Sequence, residues 1–357
     1  MSNRHTRGGR RSVKSSHPVE FLYLDQAAVL AADALDMRRA IDAVEEAQML
    51  FAKGEVREPQ KIVLRGADTP ESEADGRFNG LAASLGVPPR RIGMKWIASF
   101  PANRGQGLPR ASALIILNCP RTGVPLAVME GALISAMRTG AMTALGARFL
   151  APRNTRKVGI VGSGVQSRTQ ILGLYTQLPG VEEIAIFGRR VATAEEVAED
   201  SRRLWGAPVR VAETIDDALA EADIALAVTT TQRPLILARH IKPGALTVQL
   251  AGHECEFAVI QQCSKIVTDD WGTIKRRGIM TSAIMHQQGL LREDEIYANL
   301  GELLVGKKPG RQADERIHYC HMGMGVDDVA LAWSVYETAR QRNLGVRLPL
   351  WKEPLWV

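Results

Sequence analysis

The chain has 357 residues, of which 45% are hydrophobic and 24% are charged, and its formal net charge at pH 7 is +6. This length allows two domains, and the composition is that of an ordinary globular protein. No apolar run approaches the ~20 residues that a membrane-spanning helix needs, so we expect no membrane partner.

The N-terminus differs from the rest of the chain in charge. Residues 1–16 contain no acidic residue and five basic ones, namely Arg4, Arg7, Arg10, Arg11 and Lys14. The remainder is nearly neutral, which argues against a nucleic-acid partner, because domains that bind nucleic acids present a basic face. The segment lacks the apolar stretch of a secretory signal, so we predict a disordered basic tail.

The four cysteines are scattered and form no C-x-x-C pair (Cys119, Cys255, Cys263 and Cys320). In a chain of this size such spacing favours reduced thiols over a disulfide framework. We therefore expect a cytoplasmic protein.

The first part of the chain mixes strands and helices. Apolar alternation and helical spacing predict strands at 21–24, 61–64, 92–100, 113–117 and 125–129, and helices at 36–52 and 130–150. Residues 68–86 show no clear pattern and receive no element.

After a boundary at 152–155 the chain changes to a regular alternation of strands and helices. The predicted strands are 158–161, 184–187, 209–211, 224–228, 245–250 and 265–268. Such alternation indicates a parallel sheet covered by helices on both faces. A last helix at 327–343 is expected to pack back on the first domain. The predicted fold is α/β: a doubly wound parallel-sheet domain at 151–317 and a discontinuous α+β domain at 17–150 and 318–357.

A glycine-rich turn begins the second domain. The buried strand 158–161 ends in Gly162-Ser163-Gly164 and continues directly into a helix. Gly162 permits the tight turn, Gly164 allows a diphosphate to approach the backbone, and the helix directs unpaired N–H groups at the phosphates. Ser167 stands where the third glycine of this pattern is usual. The turn predicts a Rossmann-type dinucleotide site, although an ordinary strand–helix loop has the same residue types.

The residues after the next strand favour one nicotinamide cofactor. An Asp or Glu is expected there when the ribose 2′-hydroxyl of NAD is bound. Gly188-Arg189-Arg190 stands there instead, and two guanidinium groups suit a 2′-phosphate. We therefore favour NADP(H) over NAD(H), against the alternative that both arginines are merely solvated.

Two basic residues lie in apolar surroundings. Lys95 is flanked by Met94 and Trp96 in a predicted strand, and Arg138 lies in the predicted helix LISAMRTGAM. Burying such charges is costly unless they are paired. They are either surface-facing or a cationic cradle for a substrate carboxylate, and we favour the cradle.

Four runs give the chain a recognisable resemblance. GMKWIASF, ALISAMRTGAMTA, GSGVQS and GMGVDD resemble the ornithine cyclodeaminase/mu-crystallin family over nearly the whole chain after the basic tail. Within that family the chain looks most like the dehydrogenases of 2,3-diaminopropionate biosynthesis and the cyclodeaminase-like proteins that are named as the second component of tyramine oxidase.

The resemblance implies a homodimer, a Rossmann domain for the cofactor, and hydride transfer at the α-carbon of an amino acid through an imine. Lys95, Arg138 and His253 would be catalytic. The implied substrate-binding residues are Arg65, Asn79, Lys95, Arg110, Arg138, Gly323 and Asp328. The implied cofactor-binding residues are Thr139, Gly162, Ser163, Gly164, Val165, Gln166, Ser167, Gly188, Arg189, Arg190, Thr229, Thr230, Thr231 and Gly252.

The chain also departs from the pattern of true cyclodeaminases. His253 stands where they carry an Asp, and Asn79 aligns with their Glu. A neutral histidine acts as a base but does not hold an ammonium group with a fixed negative charge. We therefore predict an amino-acid oxidoreductase. A cyclic ketimine reductase, an ornithine cyclodeaminase and a non-catalytic accessory subunit remain alternatives. The run HYCHMG has no second ligand cluster, so no metal is expected.

Overall fold

The computed structural model describes residues 18–65, 76–86 and 90–356. The predicted basic tail at 1–16 lies outside these residues. None of the helices within the described ranges is long and apolar enough to cross a membrane.

The strands follow one another along the described residues as β1 (Val19–Leu24), β2 (Val56–Arg57), β3 (Ile62–Arg65), β4 (Arg77–Leu85), β5 (Arg91–Ser99), β6 (Ala111–Asn118), β7 (Pro125–Glu130), β8 (Lys157–Val161), β9 (Glu183–Phe187), β10 (Val209–Val211), β11 (Ile224–Ala227), β12 (Leu246–Gln249), β13 (Lys265–Thr268), β14 (Ile296–Asn299), β15 (Ile317–Cys320) and β16 (Val346–Trp351). The helices are α1 (Gln26–Ala31), α2 (Met37–Ala52), α3 (Ala132–Leu150), α4 (Val165–Gln177), α5 (Val191–Trp205), α6 (Ile215–Leu219), α7 (Phe257–Gln261), α8 (Trp271–Arg277), α9 (Thr281–Gln287), α10 (Leu300–Leu304) and α11 (Gly325–Gln341).

The first sheet is mixed. Its strands lie in the order β16-β1-β7-β6-β5-β4-β2, with β3 beside β4. β1 and β7 run parallel, while the other neighbouring pairs of this sheet are antiparallel. Helix α11 packs on β4, β5 and β6 and against α2 and α3. The last helix therefore returns to the first sheet, as the sequence predicts.

The second sheet is parallel throughout and has the order β10-β9-β8-β11-β12-β15-β13-β14. This confirms the predicted α/β fold with a Rossmann-like sheet and a second, mixed sheet. The chain leaves β8 toward β9 and β10 on one side, and continues from β11 to β12 on the other. Open α/β sheets bind ligands at the carboxyl ends of their strands where the order reverses in this way.

The predicted boundary between residues 317 and 318 needs correction. It falls inside β15, which is hydrogen-bonded between β12 and β13 in the second sheet. All four residues of β15 are buried, so the strand has no polar alternation that reveals its place. Residues 68–86, which received no element, contain β4.

Local signals explain the first long helix. Asp36 accepts a hydrogen bond from the Arg39 N–H at 3.2 Å and caps α2. The helix ends at Lys53 and Gly54, and the positive φ of Gly54 (73°) lets the chain turn away. Its buried residues recur at helical spacing, as predicted for 36–52.

The two sheets are joined by a close contact between α3 and α4. A Cβ atom on Gly140 would stand 2.2 Å from the carbonyl oxygen of Thr169, and one on Gly173 would stand 2.6 Å from the carbonyl oxygen of Gly140. The backbones of the two helices therefore touch. This contact sets the position of the glycine-rich turn, which precedes α4, relative to the residues on α3.

Candidate active site

Three charged side chains from distant parts of the chain meet beneath the first sheet. Lys95 of β5, Arg138 of α3 and Asp328 of α11 are 1%, 7% and 0% exposed. The Asp328 carboxylate lies 2.6 Å from Lys95 Nζ and accepts a hydrogen bond from Arg138 Nε at 3.0 Å. We call these three residues the buried triad. The sequence predicted all three as site residues, and the structure brings them together.

Ser135, one turn before Arg138 on α3, completes the environment of Lys95. Its hydroxyl oxygen accepts a hydrogen bond from Lys95 Nζ at 2.9 Å. Burial lowers the pKa of Lys95 to about 7, although the charge of Asp328 opposes this shift. Burial alone would raise the pKa of Asp328, but the positive charges of Arg138 and Lys95 hold that pKa below its usual value. Lys95 can therefore gain or lose a proton near neutral pH beside a fixed carboxylate.

Gly323 makes room for Arg138. Its φ is 80°, and a Cβ atom there would lie 1.7 Å from Arg138 Nη1, so any other residue would be strained and would displace the guanidinium group. Asp269 holds this turn because its carboxylate accepts hydrogen bonds from the backbone N–H groups of Met322 and Gly323 at 2.9 and 2.7 Å. Arg138 Nη1 is buried and has no hydrogen-bond acceptor among the described residues. The carboxyl edge of the second sheet thus meets the buried triad.

Lys61, which directly precedes β3, is a basic residue near the buried triad that the sequence did not single out. Its charge interacts with those of Arg138, Asp269 and Asp328. Burial, together with the positive charges of Arg277 and Arg138, lowers its pKa to about 8. The sequence signal that could have identified Lys61 is its place as a basic residue immediately before an apolar strand. Arg65, at the far end of that strand, was predicted instead.

The other predicted substrate-binding residues lie around the first sheet. Asn79 pairs with Ile97 and faces the same side of the sheet as Lys95. Arg65 is exposed and pairs with Arg77 at the end of β3. Arg110 is half-buried at the start of β6, where its carbonyl oxygen accepts a hydrogen bond from the Phe100 N–H at 2.8 Å. Of these, Asn79 lies in the cross-strand row next to that of Lys95.

The glycine-rich turn has a geometry that fits a diphosphate. Gly162 has a φ of 122°, and a Cβ atom there would lie 2.6 Å from the carbonyl oxygen of Val228. Ser167 is fully buried; its hydroxyl accepts from the Gly164 N–H at 3.1 Å and donates to the Gly162 carbonyl at 2.7 Å. These two hydrogen bonds hold the turn against α4, which a glycine at position 167 could not do because it has no hydroxyl. Val165 and Gln166 begin the helix, and Val165 is exposed.

The residues after β9 lie against the same turn. A Cβ atom on Gly188 would lie 2.3 Å from Ser163 Oγ, so this glycine gives Ser163 its space. Ser163 Oγ also lies 2.9 Å from Thr193 Oγ1. Arg189 and Arg190 are exposed, and neither side chain forms an ion pair with any residue in the described ranges. Both guanidinium groups are therefore available to an anion.

A cavity of about 390 Å³ opens beside the ends of β9, β10 and β11. Its apolar lining comes from Phe187, Ile215, Pro234, Leu235 and Leu237. Sites for small ligands are typically concave and largely apolar, with a few polar groups at the rim. The polar lining of the cavity includes the charged side chains of Glu213, Asp216 and Arg239.

The loops after β11 and β12 are fastened together by Glu254, whose role the sequence did not reveal. Its buried carboxylate accepts hydrogen bonds from Thr229 N–H at 2.8 Å, Thr229 Oγ1 at 2.7 Å and Ala251 N–H at 3.1 Å. A Cβ atom on Gly252 would lie 3.3 Å from the carbonyl oxygen of Thr231. Thr230 is exposed between these contacts.

His253 and Thr139 have distinct surroundings. His253 is half-buried, its ring centroid lies 5.3 Å from that of Phe257, and burial lowers its pKa. Its Nε2 atom is buried and has no partner in the part of the chain that is described. Thr139 donates a hydrogen bond to the carbonyl oxygen of Ser135 at 2.7 Å, so its hydroxyl is engaged within α3.

The run HYCHMG is structural in the described chain. His321 Nε2 lies 2.8 Å from Thr143 Oγ1, and His318 is fully buried within the second sheet. Burial lowers the pKa values of His318 and His321 to about 4 and about 3. Among the residues that the structure describes, no three His, Cys, Asp or Glu side chains come together as a metal site.

A glycine-rich turn at a topological switch point, next to a buried cationic site, defines a class: two-domain α/β oxidoreductases that use a nicotinamide dinucleotide. The family model of the ornithine cyclodeaminase/mu-crystallin family matches residues 24–343, and the chain belongs to that family. The family resemblance predicted from the sequence is thereby confirmed.

Individual relatives match almost end to end. The chain is 28% identical to the N-((2S)-2-amino-2-carboxyethyl)-L-glutamate dehydrogenase of Staphylococcus aureus over 93% of this chain and 99% of the relative. A structure of Δ1-pyrroline-2-carboxylate reductase from Thermococcus litoralis in complex with NADH and L-proline is 26% identical, with a TM-score of 0.83 over 92% of this chain and all of that one.

A third comparison concerns a structure of an archaeal alanine dehydrogenase dimer with bound NAD. It is 28% identical, with a TM-score of 0.82 over 93% of this chain and all of that one. Like the relatives in its family, the chain is an NAD(P)-dependent oxidoreductase acting on CH–NH or CH–NH2 groups.

The buried titration of Lys95 predicts a pH-dependent stability. The unfolded lysine keeps its proton up to its ordinary pKa of 10.5, whereas the folded one loses it near 7. Between these values the unfolded state binds more protons, so wild-type stability rises with pH, by at most about 1.4 kcal/mol per pH unit. Lys95→Met removes the contribution of Lys95 to this rise, while that of Lys61, whose folded pKa is also lowered, remains in both proteins. Urea unfolding of both proteins across this pH window measures the difference.

Lys53→Met, which removes an exposed positive charge at the end of α2, is the matched control. A difference between wild type and Lys95→Met that stays constant with pH would contradict the assigned titration.

Proposed function

We propose that the chain transfers a hydride between the α-carbon of an amino acid and a nicotinamide dinucleotide, with an imine as the oxidised form of the substrate. The proposal rests on one observation above others. Arg138 is a buried cation whose Nη1 has no acceptor among the described residues, and an unsatisfied buried donor is costly unless a ligand satisfies it. A substrate carboxylate fits this requirement.

The charge balance around Arg138 supports the same substrate. Arg138 and Lys95 share the single carboxylate of Asp328, and Lys61 adds a further basic group nearby. Burial opposes the charge of Arg138, but the nearby carboxylates of Asp328 and Asp327 raise its pKa, so it stays a cation that can attract an anion. Asp328 keeps both basic groups in place, so a bound carboxylate is oriented by groups that do not need to move.

Lys95 is the proposed proton carrier. With a pKa of about 7, its Nζ atom can give a proton to the substrate nitrogen or to water, or take one from it, at neutral pH. Asp328 and Ser135 hold that atom from two sides. We keep His253 as a second candidate acid or base, because its buried Nε2 has no partner within the described ranges. A bound nicotinamide dinucleotide supplies or accepts the hydride.

The cofactor proposal is specific for NADP(H). The turn at Gly162, Ser163, Gly164 and Ser167 would hold the diphosphate, and the exposed guanidinium groups of Arg189 and Arg190 would hold a 2′-phosphate. The cavity lined by Ile215 and its neighbours suits the adenine ring. Thr229–Thr231, Gly252 and Thr139 would lie along the remainder of the dinucleotide.

A cyclic imine is a second candidate substrate. The similarity to the Thermococcus litoralis reductase, whose structure contains NADH and L-proline, favours it. The same carboxylate site and the same proton carrier serve a cyclic and an open-chain imine equally. The two candidates differ only in what the substrate carries beyond its α-carbon.

We also propose two units and a homodimer. The substrate and dimerisation unit comprises residues 17–150 and the chain after β15, and the cofactor unit lies between them. The outer face of the first sheet carries apolar side chains in register across neighbouring strands: Val346, Tyr23, Val128, Ile116 and Met94 form one row. Exposed Leu114 and Ile62 extend this face, and a contiguous exposed apolar face is typical of a protein–protein interface.

Turnover tests the main proposal. We expect wild-type protein to reduce 2-oxo acids in the presence of ammonia or an amine, or to oxidise amino acids, in a panel that includes cyclic imines. Lys95→Ala should lower kcat by at least about a hundredfold, because proton transfer contributes that much, and should leave the cofactor Kd nearly unchanged. Stopped-flow absorbance and a fluorescence titration measure the two quantities, and Lys53→Ala is the control. Undiminished turnover by Lys95→Ala would refute the assigned role.

Cofactor preference is tested by titration with NADPH and NADH. We expect wild-type protein to bind NADPH more tightly, since the 2′-phosphate gains charge-assisted hydrogen bonds. The double variant Arg189→Ala/Arg190→Ala should lose about tenfold or more in NADPH affinity and little in NADH affinity. Arg202→Ala/Arg203→Ala on the neighbouring helix α5 removes the same charge elsewhere. Tighter binding of NADH by wild type would contradict the arginine argument.

The dimer is tested at Leu114. Leu114→Arg places a charge in the proposed interface, and Glu130 opposite it on β7 can compensate that charge in the monomer. Sedimentation velocity should show dissociation of this variant, whereas Leu204→Arg on α5, also exposed in the monomer, should leave the dimer intact. An unchanged Leu114→Arg dimer would place the interface elsewhere.

A further inference from the structure

A short turn of the first unit stands over the glycine-rich turn of the second. Residues Pro101–Gln106 form a single 3₁₀ segment between β5 and β6. Asn103 fixes this segment, because its side-chain amide donates to the carbonyl oxygen of Pro109 at 3.0 Å and its own carbonyl accepts from the Leu108 N–H at 3.0 Å. The two hydrogen bonds of Asn103 therefore hold the segment that carries Arg104 in place.

The guanidinium group of Arg104 is directed at Gly164. Its Nη2 atom lies 3.8 Å from the position that a Cβ atom would occupy on Gly164. Among the described residues, leaving out the two neighbours of Gly164, no other atom lies within 4 Å of that position. Gly164 is the residue immediately before the first turn of α4. The guanidinium group therefore lies beside the backbone of the turn, at van der Waals distance from the Cβ position of Gly164.

Arg104 has no competing partner in the described parts of the chain. Its side chain is exposed and takes part in no hydrogen bond or ion pair there. Holding a long side chain near a positively polarised helix terminus is unfavourable unless an anion neutralises both. Guanidinium groups bind phosphate oxygens in a bidentate manner. An anion with two or more acidic oxygens that binds at the start of α4 thus lies within reach of Arg104.

We infer that Arg104 binds the diphosphate of the dinucleotide together with the glycine-rich turn, from a position beside Gly164. This inference rests on the proposed function, because it assigns a further binding residue to the same cofactor site. Arg104 belongs to the first unit and Gly164 to the second, so the diphosphate connects the two units. The cofactor then stabilises the junction at which the substrate is held.

The experiment compares Arg104→Gln with Arg121→Gln, which removes the same charge from the exposed turn at the other end of β6. Isothermal titration measures the Kd of each protein for NADH, ADP-ribose and AMP. ADP-ribose keeps the diphosphate without nicotinamide, and AMP has a single phosphate. We expect Arg104→Gln to weaken NADH and ADP-ribose by about tenfold to a hundredfold, to weaken AMP much less, and to unfold at the wild-type temperature.

Arg104→Lys keeps the charge but not the bidentate geometry, and its affinity for ADP-ribose should lie between those of wild type and Arg104→Gln. Wild-type affinity of Arg104→Gln for ADP-ribose overturns the inference while leaving the proposed function intact. A raised substrate KM with an unchanged cofactor Kd also overturns it, because Arg104 would then face the substrate. Absence of NADH and NADPH binding by wild type overturns the inference and the proposed function together.

Discussion

The burial of one carboxylate between two basic side chains is the constraint on which the site depends. Asp328 has no access to solvent, and Lys95 and Arg138 are almost as deeply buried. Removing one member of such a group leaves an uncompensated buried charge and typically costs about 3–5 kcal/mol. The three residues come from β5, α3 and α11, so the first unit is complete only when α11 returns after the whole second sheet. The chain therefore forms the whole second sheet before α11 supplies Asp328, whose charge balances those of Lys95 and Arg138.

The same constraint gives the pocket its chemistry. When every hydrogen-bond donor and acceptor of a buried ion pair has a partner within the protein, none of them remains to bind a ligand. Here Asp328 satisfies Arg138 Nε, whereas Arg138 Nη1 has no acceptor in the described chain. Gly323 keeps that nitrogen clear of side-chain atoms, and Asp269 fixes Gly323 through its backbone. Asp269 therefore helps to position Arg138 through the backbone of Gly323, without contacting Arg138 itself.

Local sequence signals predicted most of the fold and part of the site. The glycine-rich turn, the alternating elements after residue 156 and the cap at Asp36 depend on neighbours in sequence, so their patterns are visible in the chain. The place of β15 is set by its pairing with β12 and β13, and no pattern within the strand itself indicates that pairing. Lys61 and Glu254 likewise acquire their roles from partners far away in sequence. Lys95 and Arg138 were recognisable because a charge in an apolar run implies a partner, although Asp328 could be assigned only by resemblance.

The α3–α4 contact explains how the proposed cofactor site and the proposed substrate site can act together. Arg138 and Gly140 are two residues apart on α3. Arg138 belongs to the buried triad, and Gly140 touches the backbone of Thr169 on α4. Thr169 is five residues after Gly164 at the glycine-rich turn. Because both elements are helices, the distance between turn and triad is fixed by two rigid bodies in backbone contact. Hydride transfer needs reacting atoms held near contact distance, and a glycine-mediated crossing gives less freedom than a layer of side chains.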